Sequence, residues 1–337
     1  MDIRYTLVKA AIALLIPVCA VAQPAIPGDP TSLGPLFEQA LAARERAFGV
    51  KAPATARMAG DYGRFLSQNG QPKAALPYLR RALALNTAAS RENLASALER
   101  TGKSAEAIEL YTQAVKAGGA TAARCFTKIA EWHESRGDRR AALTFYRKAL
   151  AAEESASGKD GPRVAVRLNA LAMLLQSMDN PRPAEALLRR ALSIQEKALG
   201  PSRPETGVTL NNLATVLFAG NRASAAESLQ RRAMAIFETK LGPDNPKLAA
   251  ACSNLADVLR ERGDLTEARR LYERALAIDE SAYGTDHPEV AADLVKLANF
   301  LRETGEPLAA KVMLLRANGI YRKVFGPEHP LTRETSQ

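Results

Sequence analysis

Few side chains in this 337-residue sequence are arranged for catalysis. The three histidines are His133, His287 and His329, and none belongs to a zinc-protease, nucleophile-elbow, phosphate-loop or dinucleotide-binding motif. Adjacent acids such as Glu153 and Glu154 would diverge around a helix. The sequence therefore predicts a protein that is not an enzyme, with no cofactor, no metal ion and no acid of perturbed pKa.

Cationic and amide side chains are better suited to binding. Two cations and an amide that converged could hold a carboxylate or a phosphate through charge-assisted hydrogen bonds. The candidates are Arg64, Asn93, Arg124 and Lys128. An amide both donates and accepts, so a row of asparagines could bind a peptide backbone of any sequence. The row comprises Asn169, Asn211, Asn212, Asn254 and Asn299, flanked by Lys296 and Arg302. The alternatives are an ordinary charged helix face for the first set and, for the second, that some of the asparagines satisfy carbonyls between helices.

The elements that position these residues are set by a 42-residue repeat. A Gly-x-x-x-Pro motif begins at Gly158, Gly200, Gly242, Gly284 and Gly326, with an outlying copy at Gly49. Glycine suits the left-handed conformation that ends a helix, and proline suits the first turn of the next helix. Asn245, His287 and His329 each precede such a proline, where capping side chains lie. We therefore interpret both histidines as capping or turn residues.

A second turn signal lies in the middle of each repeat, 21 residues after the motif glycine. It is Gly70, Asp179, Asn221, Gly263 and Gly305, and Gly102 and Gly137 mark the same turn in two shorter repeats. Asn and Asp tolerate left-handed backbone geometry better than other non-glycine residues. Between these turns, apolar residues recur at three- and four-residue steps, which predicts pairs of amphipathic helices.

The segment from Leu94 to Val115 resembles the tetratricopeptide repeat. Ala95 is the small residue that lets two helices approach closely, and Ala107, Tyr111 and Ala114 fill the interface between helices. The same series recurs as Ala130, Ala142, Tyr146 and Ala149, and as Ala256, Ala268, Tyr272 and Ala275. The 42-residue copies, such as Gly242 to Gly284, resemble the kinesin light chain type of repeat.

The resemblance implies an all-α fold, a right-handed superhelical solenoid of about seven antiparallel helix pairs. We expect a signal peptide (1–22), a linker (23–35), the solenoid (36–329) and a C-terminal tail (330–337). After a leading helix, the pairs are expected near 53–85, 88–117, 121–154, 162–199, 204–241, 246–283 and 288–325.

The resemblance also implies where a partner would bind. In this family the first helix of each pair lines the concave surface, and both candidate groups lie on first helices. The first group aligns with a carboxylate clamp that holds acidic C-terminal tails. Asn93 keeps the family residue, whereas Gly60 and Arg64 stand where the family has lysine and asparagine. Asn211 and Asn254 correspond to concave asparagines that hold an extended peptide.

The second helices carry a cation in one register of each repeat. These residues are Arg81, Lys148, Arg190, Arg232, Arg274 and Arg316. We expect them to form a solvated face that pairs with neighbouring glutamates, a type of contact that contributes little stability. An acidic surface partner is the alternative.

The first 22 residues are typical of a signal peptide. Arg4 and Lys9 precede an apolar run from Ala10 to Ala20, and Ala20-Val21-Ala22 matches the small-x-small cleavage pattern. The run is shorter than the roughly 20 residues that span a bilayer. We expect cleavage after Ala22 and a periplasmic or secreted protein. An uncleaved anchor or a lipid on Cys19 is the alternative, and we expect membrane contact only in those cases.

Charge and cysteine content narrow the choice of partner. The net charge of +10 is compatible with nucleic acid, anionic lipid or acidic protein partners, and an exported chain is not expected to bind nucleic acid. Cys125 and Cys252 lie three repeats apart, beyond the roughly 7 Å between Cα atoms that a disulfide allows, so both should be buried thiols.

The leading hypothesis is a scaffold or adaptor that binds a peptide or protein segment in its concave groove. An acidic segment or a C-terminal carboxylate is the favoured partner. One alternative is a structural subunit of an envelope or secretion assembly that packs through its solenoid ends, with end-to-end self-association. Another is an accessory or sensor subunit of an enzyme encoded elsewhere.

Overall fold

The computed structural model describes residues 33–336, which form helices and connecting turns with no strand in that range. The helices divide into two compact units at residues 152 and 153. The first unit contains α1 (Leu33–Phe48), α2 (Pro53–Gln68), α3 (Pro72–Ala82), α4 (Ala88–Arg100), α5 (Ser104–Ala114), α6 (Gly119–Ser135) and most of α7 (Arg139–Ser157). Short 3₁₀ turns, Leu83–Leu85 and Val115–Ala117, extend α3 and α5.

The second unit begins at Glu153, inside α7. It contains α8 (Pro162–Ser177), α9 (Pro181–Ala198), α10 (Pro204–Ala219), α11 (Ala223–Leu241), α12 (Pro246–Arg262), α13 (Leu265–Tyr283), α14 (Pro288–Glu303), α15 (Pro307–Phe325) and α16 (Pro330–Glu334). Within each unit, the first helix of a pair packs on the second, which packs on the first helix of the next pair.

The core of each unit follows the predicted alanine and tyrosine series. Ala95, Ala256 and Ala275 are fully buried, and Tyr111 and Tyr272 are nearly so. Alanine at these positions lets neighbouring helix backbones approach closely, while leucines fill the remaining space. Because each repeat buries its apolar face on its neighbours, these contacts hold each stack of helices together.

The turns between repeats have the predicted residues but a different backbone shape. Gly242 has φ +95° and ψ +166°, and Gly284 and Gly326 are similar. This is not the left-handed helical region but a region that essentially only glycine occupies. The mid-repeat turns are left-handed, as predicted, with φ +55° at Asp179 and +58° at Asn221.

The predicted helix caps are confirmed. The Asn245 side chain accepts a hydrogen bond from the Lys247 backbone N–H at 3.0 Å. His287 Nδ1 accepts in the same way from Glu289 N, and His329 Nδ1 from Leu331 N. Both imidazole rings also stack on an aromatic side chain of the preceding helix. The histidines therefore shape turns.

Two boundaries differ from the prediction. The leading helix begins at Leu33, three residues earlier than expected. The segment after Pro330 forms the short helix α16, because Asn318 Nδ2 donates to Thr332 O at 2.7 Å and to Thr335 Oγ1 at 3.1 Å. The predicted signal peptide and almost all of the predicted linker lie outside the described residues. No helix within residues 33–336 is long and apolar enough to cross a bilayer.

Both described cysteines are buried free thiols, as predicted. Burial raises the pKa of Cys125 to about 12 and that of Cys252 to about 11. A thiol that stays protonated at neutral pH is a poor nucleophile, so both residues serve the core.

Candidate binding surface on the first helices

In the first unit, Arg124 on α6 is held by a carboxylate of the preceding first helix. Its Nε lies 2.5 Å from Glu92 Oε1, and its Nη2 lies 2.8 Å from Glu92 Oε2. The two parallel hydrogen bonds are the geometry in which a guanidinium recognises a carboxylate. The Arg124 side chain remains 45% exposed, so the pair lies at the surface.

Lys128 lies one helical turn further along α6 and also contacts carboxylates. Its Nζ lies 2.9 Å from Glu131 Oε2 and 3.4 Å from Glu99 Oε1 on α4. Burial lowers the pKa of Lys128, but the two carboxylates outweigh it, and the pKa is raised above its ordinary value. Lys128 is therefore a cation at neutral pH.

The other two members of the predicted clamp are less closely associated. Arg64 on α2 is more than half exposed and pairs with Asp61 of its own helix at 2.8 Å. Asn93 is half-buried on α4, beside Glu92 in sequence. The structure thus places Arg124 and Lys128 against the α4 residues that surround Asn93, and it gives Arg64 a local partner. We name the surface formed by Glu92, Asn93, Glu99, Arg124 and Lys128 the α4–α6 surface.

In the second unit, the predicted asparagine row forms a ladder between successive first helices. Asn212 Nδ2 donates to Asn169 Oδ1 at 3.0 Å, and Asn254 Nδ2 donates to Asn211 Oδ1 at 3.1 Å. Asn211 Oδ1 also accepts from Gln230 Nε2 at 3.1 Å. The amides therefore bond to one another across repeats, which agrees with the alternative of groups satisfied between helices.

The last two first helices continue this surface with charged residues. Lys296 Nζ lies 3.0 Å from Asp257 Oδ2, and Arg302 Nη2 donates to Asn299 Oδ1 at 3.1 Å. Tyr272 also donates to Asp257, at 2.5 Å. Lys296 occupies the position of Asn212 and Asn254 in the two preceding repeats. Its ion pair with Asp257 therefore links neighbouring first helices where those repeats use a hydrogen bond between asparagines.

Five of the six cations of the second helices form the predicted pairs. The sixth, Lys148, instead has its Nζ over the rings of Phe145 and Phe126, 5.1 Å and 5.9 Å from their centroids. Arg190, Arg232, Arg274 and Arg316 each bond a glutamate 36 residues earlier, at 2.5–2.8 Å. The glutamates are Glu154, Glu196, Glu238 and Glu280. Arg81 pairs with Glu45 in the first unit at the same spacing. These residues are partly exposed and matched by carboxylates, which agrees with a solvated face.

A group of three buried polar residues occurs between repeats, and it was not predicted from the sequence. Asn169 Nδ2 donates to Thr209 Oγ1 at 2.8 Å, and Thr209 Oγ1 donates to Gln195 Oε1 at 2.5 Å. Two repeats (84 positions) later in the chain, Ser253 corresponds to Asn169, Asp293 to Thr209 and Asp279 to Gln195. Burial, with the charge of Asp279 adding to it, raises the pKa of Asp293 to about 7. Burial, with the charge of Glu289 adding to it, raises the pKa of Asp279 to about 6.

The prediction that no acid has a perturbed pKa is therefore wrong. The two aspartates are at least 91% buried and lie in contact, although they are 14 residues apart in sequence. Aligning the repeats in steps of 42 residues could have found them, because Phe237 and Ala251 occupy the same two positions one repeat earlier. An acid at a position that holds an apolar residue one repeat earlier is a signal of a buried charge.

Comparison with known proteins identifies the family of these repeats. A sequence profile of the tetratricopeptide repeat matches residues 28–87, 120–197, 168–239 and 247–317, and a second profile of the same repeat matches residues 89–119. The chain belongs to the tetratricopeptide repeat family. No curated protein matches this tetratricopeptide repeat chain significantly.

Solved structures with the same fold include kinesin light chain-like proteins. BtubC (BKLC) from P. vanneervenii aligns with a TM-score of 0.51 and 22% identity over 73% of this chain and 93% of its own. A Podosopora anserina protein with nearly identical repeats of the kinesin light chain type has a TM-score of 0.50 and 22% identity, over 59% of this chain and 94% of its own.

A larger assembly also contains this fold. One chain in the structure of the Cut9-Hcn1 hetero-tetramer of the APC/C aligns with a TM-score of 0.59 and 14% identity, over 89% of this chain and 52% of that chain. These likenesses confirm the predicted all-α tetratricopeptide solenoid with kinesin light chain-like repeats. Within residues 33–336, no three His, Cys, Asp or Glu side chains are grouped as a metal site.

Proposed function

We propose that this tetratricopeptide repeat protein is a non-enzymatic scaffold that binds an acidic peptide or protein segment on the α4–α6 surface. The observation that carries the proposal is the two-point contact between Arg124 and Glu92. It holds a guanidinium ready for a carboxylate at the surface, and Lys128 lies one turn away. The family generally serves as a protein-interaction scaffold, which supports this assignment.

The intramolecular carboxylates are replaceable. Ion pairs between exposed side chains contribute only about 0–1 kcal/mol, because water competes with them. A partner with two carboxylates could therefore displace Glu92 from Arg124 and Glu131 from Lys128 at small cost. Asn93 follows Glu92 in the sequence, is half-buried, and would supply an amide to the partner's backbone.

The asparagine ladder has a supporting role in this proposal. Asn211 uses its side-chain oxygen for two bonds within the protein, and Asn169 uses both its amide and its oxygen. These bonds fix the spacing of neighbouring first helices in the second unit. Asn299, Lys296 and Arg302 extend the same surface and are secondary contact candidates.

We also propose that the scaffold acts in the periplasm or outside the cell. The support is the sequence of residues 1–22, which has a basic start, an apolar run and a small-x-small cleavage pattern. Mass spectrometry of the N-terminal peptide of the protein from its native envelope should find a start at Gln23, as free glutamine or as pyroglutamate, and a peptide that still contains residues 1–22 would contradict cleavage.

The binding proposal is tested by fluorescence anisotropy with a labelled peptide that ends in several acidic residues and a free carboxylate. We expect Arg124→Ala with Lys128→Ala to weaken binding by about 10- to 30-fold, because two exposed charge contacts worth up to about 1 kcal/mol each are lost. Arg139→Ala with Arg140→Ala removes the same charge from exposed positions on α7 and should leave affinity nearly unchanged.

Glu92→Gln gives the opposite expected result. It weakens the internal competitor of the partner while leaving Arg124 in place, so affinity should rise several-fold. Equal affinity of the wild type and the Arg124/Lys128 variant would remove the α4–α6 surface as the binding site. Equal loss in the α7 control would show that only net charge matters.

A further inference from the structure

The second helix of the last pair, α15, has two opposite apolar faces. One face packs into the core through Ala310, Ala317 and Ile320, all of which are buried. The opposite face exposes Leu308, Val312 and Leu315, whose exposed fractions are 81%, 60% and 63%. Steps of four and three residues place these three side chains on one line along the helix. We name this line the α15 stripe.

The same line is polar in the preceding repeats. Residues 42 positions earlier, on α13, are Thr266, Arg270 and Glu273, and all three are exposed. On α11 the corresponding residues are Ser224, Ser228 and Arg231. The repeat therefore leaves this line in solvent, and α15 differs in filling it with aliphatic side chains. Scattered exposed leucines are ordinary, but three aligned ones on an otherwise polar register indicate a surface that binds something apolar.

Cations border the α15 stripe on both sides. At 100° per residue, Lys311 and Arg322 lie along one edge, and Arg316 and Lys323 lie along the other. The helix contains no Asp or Glu. Arg316 and Lys323 pair with acids of the neighbouring repeat, whereas Lys311 and Arg322 form no ion pair with any residue in 33–336.

We infer that the α15 stripe docks on an anionic phospholipid bilayer. Aliphatic side chains with cations along both edges, on a helix that has no carboxylate of its own, match a membrane surface, where the apolar groups enter the acyl boundary and the cations meet phosphates. A second copy of the chain fits less well, because pairing two stripes would oppose cations to cations. The export signal predicted for residues 1–22 brings the chain to a membrane.

This contact is independent of the proposed peptide site, which lies in the first unit. It also departs from the expectation that membrane contact needs an uncleaved or lipidated N-terminus. The test therefore uses the chain from Gln23, which retains every described helix and lacks the apolar N-terminal run. Binding is measured by co-sedimentation with vesicles of equal parts phosphatidylglycerol and phosphatidylcholine, and with vesicles of phosphatidylcholine alone.

The main variant is Leu308→Thr, Val312→Arg and Leu315→Glu, which gives α15 the residues of α13 at the same register. It leaves the net charge unchanged, because the added arginine and glutamate cancel. We expect the wild type to prefer anionic vesicles and the triple variant to bind at least about tenfold more weakly. Lys311→Gln with Arg322→Gln should cost about tenfold as well, and this variant changes only exposed side chains.

Several results would overturn the inference. They are failure of the wild type to bind anionic vesicles, equal binding of the wild type and both variants, equal binding of the wild type to both vesicle types, and dimerisation in solution that the triple variant abolishes. The last result would assign the stripe to a second copy. Capture of an acidic amphipathic helix without any vesicle binding would assign it to a protein and would also overturn the bilayer.

Discussion

Neutralising Asp293 should flatten the pH dependence of stability in the second unit. Asp293 on α14 lies against Asp279 on α13 and Ser253 on α12, and all three side chains are more than 90% buried. Asp279 Oδ1, Asp293 Oδ2 and Ser253 Oγ have no hydrogen bond of normal geometry in the described part of the chain. A proton on one carboxyl group would join them, so the folded state should hold a proton that the unfolded state releases.

The sign follows from the direction of the pKa shift. The pKa of Asp293 is raised from 3.8 to about 7, so between these values the folded state binds more protons than the unfolded state. Stability is therefore lost as pH rises through this window. Each unit of pKa shift is worth about 1.4 kcal/mol, which gives a loss of about 3 kcal/mol between about pH 4.5 and pH 8. The pKa of Asp279 is raised as well, but the contributions of these two coupled carboxyl groups to the free energy of unfolding cannot be added.

Several neighbouring groups act on the pair. Glu289 raises both pKa values, whereas Lys296 lowers that of Asp293 and His287 lowers that of Asp279. The charge of Asp279 also raises the pKa of Tyr283 on α13, and that of Asp293 raises the pKa of Tyr321 on α15, each after burial as the main cause. None of these groups supplies a full buried counter-charge. The raised pKa of Asp293 thus depends on burial first and on its acidic neighbour second.

The assay is urea unfolding at about pH 4.5 and at about pH 8, the two ends of this interval. Amide hydrogen exchange of α12, α13 and α14 is the local readout. Asp293→Asn keeps the shape of the side chain and removes its titration, so the variant should lose about 3 kcal/mol less than the wild type over the interval. Asp244→Asn, at an exposed position in a turn, should follow the wild type. Parallel loss in the wild type and Asp293→Asn, or a carboxyl resonance of Asp293 that titrates near pH 4, would refute the reasoning.

The remaining predictions concern turns and the asparagine ladder. Gly242→Ala should cost about 1–3 kcal/mol because its backbone conformation is nearly exclusive to glycine, although no atom would clash with the new methyl group. Gly319→Ala, in the exposed interior of α15, should instead stabilise by about 0.5–1 kcal/mol, and thermal unfolding of both variants compares them. Asn211→Leu should cost about 1–3 kcal/mol, because Gln230 and Asn254 would each lose an acceptor, and an unchanged unfolding midpoint in urea would contradict this.

Repetition explains why so much of the fold was predictable from sequence. A signal such as Gly242-x-x-x-Pro246 is weak alone, but five copies in one register fix the helix boundaries, the caps and the turn residues. Asp179 and Asn221 were identified as left-handed turns because glycine stands there in later repeats. The ψ angle of the motif glycines was not predictable, since both conformations with positive φ favour glycine.

The site was less predictable because contacts between repeats join residues about 30 to 43 positions apart. Asn169 and Asn212 read as free amides in the sequence, yet they bond to each other. Similarly, the sequence predicts that Arg124 can bind a carboxylate of a partner, yet Glu92 of the preceding first helix contacts it within the protein. The type of side chain was enough to select the surface but not to tell which groups were already paired.

These internal pairs bear on selectivity. A ligand with one carboxylate exchanges one exposed ion pair for another on Arg124 and gains little, because both pairs are similarly solvated. A ligand with adjacent carboxylates can engage Arg124 and Lys128 together, and its second contact forms without a further loss of translational freedom. In the proposed binding mode, Glu92, Glu99 and Glu131 would compete for the two cations and would favour acidic clusters over isolated acids. The proposed selectivity thus depends on the carboxylates of the α4–α6 surface as much as on its cations.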